Sequence, residues 1–440
     1  MNNGNDRGGK DTSPSEWKLH WPLLLAATFG ISFGGIPVTT LGLFMQPLQN
    51  EFGWDRTTIS LSMTVFAFIV TPLTPFAGAL VDRFGARAIA IPGLVLCGLS
   101  FAAFSLMNGM VALWIGMWVV YALASLLIRT MVWNPPVAAA FVTNRGVAMA
   151  IMLSGMSVAS AVLPLLTHTL IAQLGWRLAY VTIGLGWAGV ALLLVVPFFK
   201  VRTASRSPLV SNQSEGEGAG EGAAARPEPV LSAGGLTFGE ALRNVTMIRI
   251  ALACFLATLL GSAWGVHMVP IYETFGVTKV TAASLAFVAG ITAILARLIA
   301  GTIMDRFNFA ALPFVLLASP ALAYGLLLMS NGSLPIIIAV AALIGFGGGT
   351  SLYLIIYLTT QYGGLRHFGK IFGTVSMMTG LSAGIGPVTA GRIFDSTGNY
   401  ELYLMIGIPL FILAGLLVFG LGPYPQFAPV EAPGTSPERT

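Results

Sequence analysis

Two arginines lie inside long apolar stretches of this sequence, where a charge is unfavourable. Neither Arg129 nor Arg297 has an Asp or Glu within its own stretch. A charge at the centre of a bilayer costs roughly 2.5–3.5 kcal/mol on insertion scales, so an embedded one usually has a function. A guanidinium group binds a carboxylate through paired donors. The two arginines therefore predict a midplane binding site for an organic anion.

Aromatic residues recur with Arg129 at helical spacing. The series has steps of three or four residues and runs Trp118, Tyr121, Ser125, Arg129 and Trp133. This spacing predicts one helix face, directed into a water-filled pathway. Tyr353, Tyr357 and Gln361 have the same spacing and are predicted to line that pathway. The residues predicted to bind substrate are Arg297, Arg129, Tyr121, Trp133, Tyr353, Tyr357 and His267.

A structural interpretation of the same residues stays open at this point. Both arginines are long enough for their charged ends to reach the cytoplasmic interface. Aromatic residues on a helix often only pack, and His267 lies near the end of its apolar stretch, where a structural histidine is common.

The elements that must position these residues are membrane-spanning helices. The 440 residues are 55% hydrophobic and only 9% charged, against about 25% charged in soluble domains. Each span needs about 20 apolar residues. Twelve runs qualify, at 21–45, 59–79, 88–107, 111–137, 147–170, 176–199, 246–271, 281–303, 310–329, 334–358, 369–392 and 401–423. Because they are long and do not alternate, they exclude a transmembrane β-barrel.

The sequence repeats itself at an offset of 223 residues. Asp82, Arg83 and Phe84 recur as Asp305, Arg306 and Phe307, and other matches keep this offset from the first span to the sixth. The repeat predicts an all-α membrane protein with 12 transmembrane helices in two six-helix, pseudo-symmetric halves. The predicted parts are an N-terminal tail at 1–20, a first half at 21–199, a disordered linker at 200–243, a second half at 244–423 and a C-terminal tail at 424–440.

The distribution of positive charge predicts the orientation. With the N-terminus inside, the outer loops and span ends hold four of the 22 Lys and Arg residues, namely Arg56, Arg177, Lys279 and Arg392. This asymmetry follows the positive-inside rule, so both termini and the linker are expected in the cytoplasm. It also explains the net charge of +5 without a nucleic-acid partner.

The loop after the second span resembles a known signature. Its sequence, Gly78-Ala-Leu-Val-Asp82-Arg83-Phe-Gly85-Ala-Arg87, is similar to the signature loop of the major facilitator superfamily, and a degenerate copy follows span 8. The resemblance implies the major facilitator fold and a cytoplasmic gate in which these charges latch the cytoplasmic side. The predicted gate residues are Gly78, Asp82, Arg83, Gly85, Arg87, Arg145, Asp305 and Arg306.

A narrower resemblance is to the bacterial monocarboxylate and oxalate/formate antiporter branch. It rests on Glu51–Ser60, on Arg297-x-x-x-Gly301-x-x-x-Asp305, on Phe368–Gly373, and on Gly391-x-x-x-Asp395-x-x-Gly398-x-Tyr400. Two positions depart from the monocarboxylate pattern. Val38 stands where a lysine is expected, and Ala293 stands where an aspartate is expected. The departures leave the substrate and any proton coupling open.

The expected function is secondary active transport of a small mono- or dicarboxylate by alternating access, as proton symport or anion exchange. A proton-driven exporter of apolar compounds and a non-transporting membrane sensor or scaffold are the alternatives. An enzyme is not expected, and neither is a cofactor or a metal site. The expected partners are the organic anion, protons or a counter-transported anion, and the lipid bilayer. The protein is expected to be a monomer in the cell (inner) membrane.

Overall fold

The structure is a computed structural model, and it describes residues 16–141, 145–199, 234–306, 311–364, 366–422, 424, 425 and 427. At residues 298, 300–306, 352 and 353 the description covers the backbone alone. Tyr353, Asp305 and Arg306 are among these, so their predicted roles lie outside the side chains described.

The described residues form fourteen α-helices. They are α1 Glu16–Ser32, α2 Ile36–Phe52, α3 Arg56–Phe84, α4 Ala86–Ala103, α5 Val111–Ser125, α6 Thr130–Ala140, α7 Arg145–Phe198, α8 Phe238–Arg243, α9 Val245–Thr274, α10 Lys279–Arg306, α11 Leu312–Leu328, α12 Leu334–Gly363, α13 Phe368–Thr397 and α14 Glu401–Val418. Short 3-10 segments continue α1, α4 and α5 at Phe33–Gly35, Phe104–Leu106 and Leu126–Ile128.

These helices account for the twelve predicted spans. Among the described residues, ten helical segments are long and apolar enough to cross a membrane, and α11 is a shorter apolar helix of 17 residues. One of the ten, α7, has 54 residues, and its backbone leaves the helical conformation at Gly175, with φ 78°. At 1.5 Å per residue it is far too long for a single crossing of a bilayer core about 30 Å thick. It therefore represents two spans joined at a glycine that tolerates positive φ.

The chain divides into two compact units. The first comprises Met1–Pro37, Leu73–Ser160 and Leu170–Val201, and the second comprises Val38–Pro72, Ala161–Thr169 and Arg202–Thr440. The second unit thus includes α2 from Val38 onward and the first part of α3, although both helices lie in the first sequence repeat. The division of the chain into halves at 21–199 and 244–423 stays a prediction.

The end of the predicted linker is ordered, which corrects the expectation for residues 234–243. Leu236 N–H donates to Gly363 O at 2.9 Å, and helix α8 follows at once. A capping box begins this helix: Glu240 N–H donates to Thr237 Oγ1, and Thr237 N–H donates to the Glu240 carboxylate. The Thr237 backbone N–H thereby holds the pKa of the Glu240 carboxyl below its usual range. Residues 200–233 lie outside the described part.

Small residues allow close helix contacts within the second unit. In α13, a methyl group at Gly384 would lie 2.5 Å from Ala67 Cβ of α3, and one at Gly391 would lie 2.9 Å from Arg56 O. Thr64 Oγ1 also donates to Gly384 O at 2.7 Å. Close approach of helix backbones through small residues is a common packing mode in membranes. The small residues of α13, which forms the predicted span 11, therefore allow close packing against α3.

Candidate functional site

Arg297 lies in the second unit, on the face of α10 that packs against α12. A methyl group at Gly345 would overlap Ala289, and one at Gly349 would overlap Ala293. Arg297 follows Ala293 by one helical turn, and position 353 follows Gly349 by the same step. This register brings Arg297 and position 353 to one level of the helix pair. The Arg297 side chain is half-buried and its Nη1 is inaccessible to solvent.

Arg129 lies in the first unit at a break in the fourth span. Helix α5 ends at Ser125, a 3-10 segment follows, and Arg129 itself has an extended backbone, with φ −68° and ψ 163°. Helix α6 then restarts at Thr130. The prediction of one continuous helix face from Trp118 to Trp133 is therefore wrong. Pro135 and Pro136 lie inside α6 and remove two backbone donors there, after the helix has restarted.

Trp133 holds this break together. Its indole Nε1 donates at 2.8 Å to the Ile128 carbonyl, which the break has released from helical bonding. The ring is fully buried, and Gly30 in α1 lies so close that a methyl group there would overlap it. Trp133 thus stabilises the irregular backbone around Arg129 instead of lining an open pathway.

Tyr121 belongs to an aromatic cluster in the first unit. Its ring centroid is 5.7 Å from those of Phe101 and Trp118, and 6.2 Å from that of Phe104. Its side chain is only 1% exposed. Such distances are typical of tilted and edge-to-face packing. The structure therefore gives Tyr121 the surroundings of a core residue.

A buried hydrogen-bond chain surrounds His267 in the second unit. Arg56 Nη1 donates to the Tyr400 hydroxyl at 2.7 Å, and that hydroxyl lies 2.7 Å from His267 Nδ1. His267 Nε2 lies 2.9 Å from Pro387 O and 3.1 Å from Ser60 Oγ. Because a carbonyl only accepts, Nε2 carries the proton of the neutral ring and Nδ1 accepts from Tyr400. Both ring nitrogens are bonded within the protein. His267 therefore connects α9 to α3 and α13 through hydrogen bonds.

Burial and aromatic contacts reinforce this chain. Burial raises the pKa of Tyr400, so its hydroxyl keeps the proton that it donates. The Arg56 guanidinium lies 3.5 Å from the centroid of the Phe394 ring, a cation–π contact. We call Arg56, His267, Asp395 and Tyr400 the polar cluster.

Asp395 of the polar cluster binds the start of α3. Its carboxylate accepts from the backbone N–H groups of Arg56 and Thr57 at 3.0 and 2.7 Å, and from Thr57 Oγ1 at 2.5 Å. A carboxylate at a helix N-terminus accepts from unpaired donors and complements the helix dipole. The motifs at Glu51–Ser60 and Gly391–Tyr400 therefore meet in the structure. Both motifs are visible in the sequence, but the sequence alone assigns no role to Arg56, Asp395 or Tyr400.

Tyr357 contacts the chain beyond the last helix. Its hydroxyl donates to the Tyr424 hydroxyl at 3.4 Å, and Tyr362 of the same helix donates to Gly422 O at 2.8 Å. The start of the predicted C-terminal tail is thus packed against α12. A role for Tyr357 in substrate binding stays a prediction.

The predicted gate residues that the structure describes lie mostly at helix ends. Gly78 packs against Met131, where a methyl group would lie 3.2 Å from Sδ. Gly85 begins α4 with φ 85°, a conformation that favours glycine. Asp82 and Arg83 are exposed at the end of α3, and Arg145 is exposed at the start of α7.

Arg87, a predicted gate residue, binds backbone carbonyls in this structure. Its guanidinium donates to Val196 O at 2.7 Å and to Phe199 O at 3.1 Å. These carbonyls lie at the C-terminal end of α7, where a cation complements the helix dipole. Arg249 does the same for α14, donating to Leu417 O at 2.9 Å and Phe419 O at 2.8 Å.

Long apolar helices, two embedded arginines and helix pairs joined by glycines define a multi-pass α-helical membrane protein of the transporter type. The sequence model of the Major Facilitator Superfamily matches residues 24–363. The chain belongs to this superfamily, and the predicted fold class is thereby confirmed.

Several relatives are similar over nearly the whole chain. Monocarboxylate transporter 6 of Homo sapiens is 25% identical, covering 91% of this chain and 79% of the relative. The uncharacterized MFS-type transporter YcxA of Bacillus subtilis (strain 168) is also 25% identical, covering 92% and 87%. A solved structure of a bacterial homologue of the human lysosomal transporter Spinster, inward-facing and unoccupied, has a TM-score of 0.64 at 17% identity. It covers 92% of this chain and 95% of the homologue, and it supports the fold.

Proposed function

We propose that this protein carries a small mono- or dicarboxylate across the membrane by alternating access, as proton symport or anion exchange. The observation that carries the proposal is the half-buried side chain of Arg297 in α10, at the end of the apolar segment Lys279–Arg297. The similarity to a protein named as a monocarboxylate transporter supports the same substrate class.

Arg297 supplies the principal charge in this proposal. A guanidinium in an apolar span is unfavourable by itself, and a bound carboxylate offsets part of that cost through charge-assisted hydrogen bonds. Position 353 of α12 shares the level of Arg297 in the register of the two helices, which supports assigning Tyr353 a second contact with the substrate.

Arg129 supplies a second cation in the proposal. Irregular backbone at membrane depth is tolerated where it lines a cavity or is buried in protein, and transporters place binding sites at such interrupted helices. The break at Leu126–Arg129 is therefore a suitable place for a substrate contact. Asp82, Arg83, Arg145, Asp305 and Arg306 are proposed to close the cytoplasmic side during the transport cycle.

A thermal-shift screen of the purified protein against mono- and dicarboxylates tests the proposal. A ligand that binds only the folded state adds about 2.7 kcal/mol of stability at a hundred times its Kd. We expect one or more carboxylates to raise the melting temperature of the wild type, but not that of Arg297→Gln. Arg392→Gln, which changes an exposed arginine of the same unit, is the matched control and should respond as the wild type does.

Comparable melting temperatures without ligand are required of all three proteins, since they show that the variants fold. An equal response from Arg297→Gln would contradict the assignment of Arg297. No response to any carboxylate would direct attention to apolar substrates. Uptake of the stabilising anion by proteoliposomes that contain only this protein then separates a transporter from a sensor.

A further inference from the structure

An apolar groove lies among α8, α9 and α13 in the second unit, with a cavity volume of about 200 Å³. Its floor is buried and includes Met247, Ile371 and Val375, whereas its walls are exposed and include Leu242, Ile248 and Leu252. The lining on α13 runs from Ile371 to Met378, which is about 10 Å along the helix at 1.5 Å per residue. We call this the α8 groove.

The lining of the α8 groove is suited to a hydrocarbon chain. Thr374 is the lining residue with a polar side chain, and its hydroxyl already donates to Lys370 O at 2.9 Å. A polar metabolite would lose its hydration in the groove without gaining hydrogen bonds. Two of the three walls, α9 and α13, are helices long and apolar enough to span a membrane, so membrane-spanning segments border the groove.

Three exposed basic residues lie close in sequence to the groove lining or near α8. Arg243 directly follows Leu242, and Lys370 lies one turn before Thr374 on α13; both are exposed. Arg366 is also exposed and lies within electrostatic range of Glu240. Glu240 is the carboxylate of α8, and it already accepts from the Thr237 backbone. Within the described part of the chain, three cations beside one carboxylate that is already hydrogen-bonded make this rim electropositive.

The groove is preformed, because hydrogen bonds fix α8 beside it. The Phe238 N–H donates to His367 Nδ1 at 3.1 Å, and Gly235 forms a backbone bridge with Gly364. Asn244 ends α8 and caps α9 by accepting from the N–H groups of Thr246 and Met247. A ligand therefore pays little ordering entropy to use the groove.

We propose that the α8 groove binds an anionic phospholipid, with an acyl chain on the apolar floor and the headgroup phosphate on Arg243, Arg366 and Lys370. The apolar cavity and the electropositive rim match the two parts of such a lipid. Basic pockets beside spanning helices are known recognition sites for anionic headgroups. A lipid in this position would contact the end of the linker, the start of α9 and α13 at once.

Native mass spectrometry of the delipidated full-length protein with phosphatidylglycerol or phosphatidylcholine tests the proposal. One variant removes the rim charges: Arg243→Gln, Arg366→Gln and Lys370→Gln. A matched control loses the same charge elsewhere, at three exposed arginines: Arg83→Gln, Arg145→Gln and Arg392→Gln. Each basic residue near an anionic surface is worth about a fivefold change in binding, so the rim variant should bind phosphatidylglycerol about a hundredfold more weakly.

Phosphatidylglycerol is expected to bind the wild type and the control alike, and more tightly than phosphatidylcholine. Ala251→Phe, which fills the groove, should lose phosphatidylglycerol while its melting temperature without lipid stays near that of the wild type. Equal binding of phosphatidylglycerol to the rim variant would overturn the proposal, as would equal binding of both lipids to the wild type. Competition between the lipid and inorganic phosphate is measured in the same experiment. If phosphate displaces the lipid headgroup at the concentration of the lipid, the site is a phosphate site and the lipid assignment fails.

Discussion

At the residue scale, the polar cluster shows how a buried cation is stabilised in an apolar protein. Arg56 is only 9% exposed, and it contacts the Phe394 ring, the Tyr400 hydroxyl and, at 3.4 Å, Gln49. Each hydrogen bond in the chain has a defined direction, from Arg56 through Tyr400 to His267 and then to the Pro387 carbonyl. The Tyr400 hydroxyl is therefore both an acceptor and a donor, and no apolar substitute can replace it.

Replacing Tyr400 by phenylalanine tests this chain. Tyr400→Phe keeps the ring but leaves Arg56 Nη1 and His267 Nδ1 without their partner. A buried group that loses its hydrogen-bond partner costs about 1–3 kcal/mol, so the free energy of unfolding should fall by that order. Thermal unfolding in detergent measures the change.

Tyr424→Phe is the control for this substitution, because its hydroxyl takes part in a weak 3.4 Å contact with Tyr357. The control should melt close to the wild type. If the two phenylalanine variants melt at the same temperature, the hydroxyl of Tyr400 contributes nothing beyond the packing of its ring.

At the element scale, the spans could be predicted from the sequence, whereas the irregularities within them could not. Hydropathy located all twelve spans because each needs about 20 apolar residues in a row. Apolar periodicity assumes a regular helix, so it missed the break before Arg129, where the Trp133 indole binds the released Ile128 carbonyl. The polar cluster was missed because its residues are far apart in the sequence. Arg56 and Tyr400, for example, are separated by 344 positions.

Helix packing in the second unit depends on glycines that can be tested individually. Gly391→Ala places a methyl group 2.9 Å from the Arg56 carbonyl oxygen, so α3 and α13 must separate. We expect this variant to be destabilised by about 1–3 kcal/mol, the usual range for overpacking. In Gly373→Ala, which lies in the same helix, the added methyl group meets nothing within 4 Å. The free energy of unfolding should therefore stay unchanged or rise by up to about 1 kcal/mol through helix propensity. Melting temperatures that move equally in the two variants would show that propensity, and not close packing, decides the effect.

At the scale of the whole molecule, the second unit joins the two sequence repeats. Parts of α2 and α3 from the first repeat pack against α9 and α13 from the second, as at Gly42, which lies against Val266, and at Gly380, which lies against Thr71. The polar cluster adds hydrogen bonds at the predicted outer end of the same contact. If the protein alternates access as proposed, this contact must open once in each transport cycle.

A reversible cross-link between α3 and α13 tests that requirement. A methyl group at Gly380 would lie 3.3 Å from Thr71 Cβ, close to the Cβ separation of about 3.8 Å in disulfides. We expect Thr71→Cys with Gly380→Cys, in a background that lacks Cys97 and Cys254, to lose substrate uptake on oxidation and to recover it on reduction. Thr71→Cys alone should transport regardless of oxidant. Full uptake by the quantitatively cross-linked protein would mean that α3 and α13 stay together throughout the cycle, and that access to the substrate site changes by movement of other helices.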